Sequence, residues 1–179
     1  MTTITGTAAL HSDRYSLSPV SAERLEAALG PGRYLLDGSV FSDDRTPETA
    51  GVPLDGECRY YRADEPTVRR LSVTLGNRQL PYSAYDNARR VQHGDRRARP
   101  IVGADGYVVT ADVTDHDGTT GERAVGAVFD GDRFVIANIL VPTPGVDAAP
   151  EASAIAREAL EAFRHPMSTF EQAGRAGRP

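Results

Sequence analysis

The stretch that decides the fold runs Arg123-Ala124-Val125-Gly126-Ala127-Val128-Phe129-Asp130-Gly131-Asp132-Arg133-Phe134-Val135-Ile136-Ala137-Asn138-Ile139-Leu140-Val141. Two apolar-rich runs, Arg123 to Asp130 and Arg133 to Val141, are separated by Asp130-Gly131-Asp132, whose short Gly-centred turn matches the twist of a β-hairpin. Tyr107 to Val113 supplies a third strand, so the expected core is an antiparallel meander. Pro142-Thr143-Pro144-Gly145 closes it. Beyond it Ala152, Ile155, Ala156, Ala159, Leu160 and Phe163 recur at helical spacing, one apolar stripe of an amphipathic helix.

Working upstream, Leu71, Val73 and Leu75 alternate with Arg70, Ser72 and Thr74 in the two-residue period of a half-buried strand. Val68 to Leu75 thus pairs with a strand at Cys58 to Ala63 through a turn at Asp64-Glu65-Pro66-Thr67. Tyr82, Tyr85, Ala88 and Val91 place a second helix over Pro81 to Val91, followed by a polar loop from Arg89 to Pro100. Ala22 to Leu29 forms a short helix, with Ser21 able to cap its start and Gly30 to stop it. From Gly30 to Gly56 the Gly and Pro punctuation reads as a long surface connection containing at most a brief strand at Tyr34 to Leu36. The expectation is an α+β fold: an antiparallel sheet of about five strands covered by about three helices, in the order α-β-β-α-β-β-β-α. It occupies residues 19–165 as one domain, between a flexible N-terminal tail at 1–18 and a frayed C-terminal tail at 166–179.

Composition narrows the function classes. The 179 residues carry 40% hydrophobic and 25% charged side chains, the balance of an ordinary globular domain that needs neither metal nor disulfide to hold a core. A net charge of −5 gives no global attraction for nucleic acid, and the expected partners do not include it. All twenty basic residues are Arg, which fits a GC-rich coding sequence more simply than a phosphate site. The longest apolar run, Val135 to Val141, is far below the roughly 20 residues that span a bilayer, so no transmembrane segment is expected. Met1 to Val20 lacks the basic start and apolar run of a secretory leader. A chain already stripped of its leader would read identically.

No catalytic or metal motif stands out. Cys58 is the single cysteine, which excludes an intrachain disulfide, and it reads as a small buried hydrophobe rather than a nucleophile. His11, His93, His116 and His165 are scattered without metal-ligand spacing, and no metal and no cofactor is expected. Asp112, Asp115, Asp117 and Glu122 crowd one hairpin. The calcium-loop register fails there, because aligning Gly118 puts Val113 and Ala124 at ligand positions, so an acidic turn is the simpler reading. The largest charge asymmetry is Arg89, Arg90, Arg96, Arg97 and Arg99 against the acidic segment from Asp105 to Asp132. Guanidinium forks favour planar anions, which makes these five arginines the candidate binding residues for a small anionic ligand or an acidic protein surface. A solvated loop balancing neighbouring acids is the plain alternative.

The order of elements also resembles a known family. Leu17-Ser18-Pro19-Val20-Ser21-Ala22-Glu23-Arg24-Leu25-Glu26-Ala27-Ala28-Leu29-Gly30, then Glu57-Cys58-Arg59-Tyr60 opening a strand pair, then Gly103-Ala104-Asp105-Gly106-Tyr107 before a meander and closing helix, is similar to actinobacterial lipoproteins with an uncharacterised extracytoplasmic domain. The likeness spans about residues 15 to 164. It implies a PsbP-like α/β/α sandwich, a lipid anchor on a leader ahead of Met1, and no established catalytic activity. The family often carries a cysteine before the first helix that partners the strand cysteine; here that neighbourhood reads Tyr15-Ser16-Leu17, so the implied disulfide is absent. A Trp common two residues after the strand cysteine is Tyr60. The first expectation is therefore a non-enzymatic, extracytoplasmic binding domain. The alternatives are a small cytosolic hydrolase or isomerase whose acids come together only in the fold, with Asp112, Asp130 or Asp132 beside an Arg, and a cytosolic immunity-type protein whose acidic surface covers a basic toxin.

Overall fold

A computed structural model of the chain describes residues 2–4, 19–42, 53–77, 84–114, 118, 120–141 and 147–164. The elements in order are β1 (Thr2–Ile4), α1 (Ala22–Leu29), β2 (Tyr34–Ser42), β3 (Pro53–Arg62), β4 (Glu65–Asn77), α2 (Ala84–Gly94), β5 (Arg99–Pro100), β6 (Gly106–Thr114), β7 (Thr120–Asp130), β8 (Arg133–Val141) and α3 (Ala149–Arg164). The hairpin that anchors the sequence reading is present: Asp130 pairs with Arg133 and Glu122 with Val141 along β7 and β8, and Gly131 takes a positive φ of 58° that only the turn requires.

All strands join one antiparallel sheet in the order β1-β2-β3-β4-β8-β7-β6-β5. Among the described residues the α+β class and three helices stand, but the sheet is larger than the expected five strands, with seven strands of at least three residues and the two-residue β5. The main correction lies in the supposed surface connection. Tyr34–Ser42 is a nine-residue strand, with Tyr34 and Leu36 buried and Gly38 in register with Cys58. Cross-strand pairing overrides the local Gly signal there. The turn expected over Asp64 to Thr67 is shorter, since β4 begins at Glu65 and Arg62 pairs with it. Within the expected N-terminal tail, Thr2–Ile4 pairs with Tyr34 to Leu36. The rest of that tail, the tail at 166–179, and Tyr82, His11, His116 and His165 lie outside the described residues.

The two faces of the sheet are covered by different helices. On one, Leu71, Val73 and Leu75 of β4 meet Val135, Ala137 and Ile139 of β8 beneath Leu25 of α1 and Ala152, Ile155, Ala156 and Ala159 of α3. The α3 stripe approaches closely because β7 offers Gly126 there: a Cβ at that position would lie 2.7 Å from the Ala152 carbonyl oxygen. The start of α3 is fixed by two carboxylates, Glu122 accepting from the Ala148 N–H at 2.7 Å and Asp147 from the Ala149 N–H at 3.0 Å, which satisfies helix donors that would otherwise be orphaned. On the opposite face α2 sets Tyr85 and Ala88 against Tyr107, Ala127, Phe129 and Phe134. The Tyr85 ring meets Phe129 and Phe134 edge-on at 5.4 and 5.9 Å, the geometry that aromatic quadrupoles favour. No helix among the described residues is long and apolar enough to cross a membrane.

Candidate functional site

The five arginines expected to act together do not form a single loop. α2 extends to Gly94, so Arg89 and Arg90 lie on its last turns. Asp95 to Ala98 makes a tight turn closed by an Ala98 N–H to Asp95 carbonyl bond of 3.0 Å, and Arg99 enters the two-residue edge strand β5. Helical geometry points the adjacent Arg89 and Arg90 about 100° apart around the axis, which decides their different fates.

Arg89 faces the body of the protein. Its guanidinium lies 3.8 Å from the Phe129 ring centroid and makes a two-pronged bond to Asp105 at 2.9 and 2.8 Å. Gln92 adds a bond to the same carboxylate at 3.0 Å. The Arg89 bond holds the Asp105 carboxyl below its usual range, against a smaller opposing effect of burial, and correspondingly raises Arg89. The pair ties α2 to the loop before β6. Arg97 is likewise engaged: its guanidinium donates to Asp95 at 2.7 and 3.0 Å, which lowers the Asp95 carboxyl to about 2. Arg99 stands 3.7 Å from Asp147 across an exposed gap.

Arg90 and Arg96 remain. Both are exposed, and neither meets a carboxylate among the described residues. With Val91, Gly94, Asp95 and Arg97 they rim a shallow, open hollow of about 670 Å³ at the C-terminal end of α2. Three guanidiniums there face one carboxylate, an excess of positive charge that the negative end of the helix dipole only partly offsets. His93 is exposed on the same last turn.

The other sequence candidates are dispersed. Asp112 pairs with Glu122 in register, whereas Asp130 closes the other end of β7. Eight residues of strand separate those ends by roughly 26 Å, so Asp112 shares no site with Asp130 or Asp132. Glu122 is taken by the start of α3, and Asp115 and Asp117 lie outside the described residues. Burial pushes the Cys58 thiol up to about 12, leaving no reactive thiolate near neutral pH. Among the described residues no group of three or more His, Cys, Asp or Glu is placed to hold a metal. Sequence reasoning missed the division among the arginines, although the spacing of Arg97 to Asp95 was a readable signal. No family model, curated protein or solved structure matches this chain.

Proposed function

We propose that the chain is a non-enzymatic binding domain that docks an acidic protein surface through Arg90 and Arg96. The observation that carries the reading is the division of labour among the arginines: three of the five are engaged with Asp105, Asp95 and Asp147, and the two without a described acidic partner open onto one hollow. A shallow hollow suits a partner's carboxylates arriving from solvent better than an enclosed small molecule, because long guanidinium arms can meet them at the surface. That Asp112 and Asp130 stand near opposite ends of the β7 register supports this reading over acid–base chemistry using both.

The reading includes placement with the extracytoplasmic lipoprotein type. Helices on both faces of an antiparallel sheet support it, being the layering that the resemblance implies. In-frame codons ahead of Met1 encoding a leader that ends in an acylatable cysteine are the expected finding; an in-frame stop with no such leader contradicts the placement.

Docking is tested by titrating a hexaglutamate peptide into the protein at low ionic strength, with hexalysine as control. Saturable binding of hexaglutamate alone is expected. The double substitution R90S/R96S should weaken it about ten-fold or more, as loss of charge-assisted bonds predicts, and added salt should weaken it further. Equal binding by the wild type and the double variant would contradict the assignment.

A further inference from the structure

A second opening lies on the other face of the sheet, between α3 and the loop joining β5 to β6. Its volume is about 700 Å³, within the range of small-molecule sites. The loop is held in place: the Ile101 N–H bonds the Gly106 carbonyl at 3.1 Å and the Ala104 N–H the Ile101 carbonyl at 3.3 Å. Ile101 is buried, and Gly103 takes a φ of +76°. This turn lifts Val102 into solvent, where it is 89% exposed and the one large hydrophobic residue so placed among the described residues. An exposed valine alone needs no explanation. Its carbonyl is the acceptor for Arg157 of α3 at 3.4 Å, which sets a guanidinium beside the loop on the wall of the cleft.

The charges lining the cleft are unevenly used. Arg24 bonds Glu158 at 3.2 Å and lies 3.6 Å from Glu151. Glu158 also accepts the Ser21 N–H at 2.6 Å, and Asp105 is held by Arg89 and Gln92. Arg157 meets no carboxylate among the described residues. Glu161, one turn further along α3, holds an interaction of its own and repels an anion from that end. Between them the wall is apolar, made by Ala154 and Leu160 of α3 with Ala104 of the loop.

We infer that this cleft binds a small organic carboxylate, its anionic head on Arg157 and its apolar body against Ala104, Ala154 and Leu160. The guanidinium supplies a charge-assisted fork for the head, and the hydrogen-bonded turn holds the Ala104 side of the wall in place before binding.

The probe is sodium octanoate, titrated into the ¹⁵N-labelled full chain, with octanol and sodium sulfate as separate controls. Saturable amide shifts at residues 102–105 and 154–161 are expected, with weaker binding of either control. R157S should raise the octanoate Kd about ten-fold or more, while V102S, whose side chain lies outside the lining, and R90S/R96S leave it unchanged. Both Arg157 and Val102 are exposed, so the variants keep the fold, which their amide spectra verify. No saturable shift in the wild type overturns the inference. So does octanoate binding that R157S leaves intact, or that R90S/R96S removes.

Discussion

Arg89 and Arg90 are neighbours in sequence with different surroundings, and the difference follows from which way each side chain leaves α2. Arg89 lies over Phe129 and forks onto Asp105. Asp105→Asn should therefore cost about 1 kcal/mol at neutral pH, a charge-assisted bond discounted for the half-exposed carboxylate. The sign of its pH dependence is fixed. The folded carboxyl is lowered from 3.8, so its contribution is present above that value and is lost as the pH falls through the lower folded value. Urea melts of wild type and D105N should differ at pH 7 and converge in strong acid; a gap that persists there would contradict the brace. Cys58 offers a second check at this scale. With its thiol pushed up to about 12 by burial, it should react with a disulfide reagent at pH 8 at a small fraction of the rate seen in urea. Equal rates would place it at the surface.

Among the elements, α3 is the one most tightly specified. Its stripe reads directly from sequence at i, i+3, i+4 and i+7, and Ala152, Ile155, Ala156 and Ala159 are fully buried. The partner condition, a glycine on β7, is legible only once the strand is laid beneath the helix. Gly126→Ala would drive a methyl group into the Ala152 backbone, where no flexible side chain can yield. A loss of about 1–3 kcal/mol is expected from chemical denaturation, and an unchanged midpoint would show that α3 sits farther from the sheet. β2 shows the opposite case. The brief strand at Tyr34 to Leu36 was legible, but Gly38 and the surrounding turn residues concealed its continuation, which exists through pairings such as Asp37↔Arg59 and Gly38↔Cys58, contacts about 20 residues away that local propensity does not contain. The two-residue β5 escaped for the same reason, since Arg99 and Pro100 pair only with Val108 and Tyr107.

For the molecule as a whole, the order of helices and strands fixes which charges meet. The sequence located the basic run and its acidic counterpart, because charge density is visible in one dimension. It did not show that Asp105 takes Arg89 or that Asp147 stands near Arg99, pairings of residues separated by 16 and 48 positions along the chain. These pairings convert an undivided basic run into a brace on one side and two outward guanidiniums on the other. Asp112 and Glu122 face each other at one end of β7, whereas Asp130 and Asp132 lie at the other, separated by the length of the strand. Arg90 and Arg96 are the proposed docking point. Its most direct test is a map of amide shifts in the ¹⁵N-labelled protein on addition of hexaglutamate at low ionic strength. Saturating shifts concentrated at residues 90–97, absent in R90S/R96S, are the predicted result; shifts centred elsewhere on the sheet, or none at saturating peptide, would contradict it.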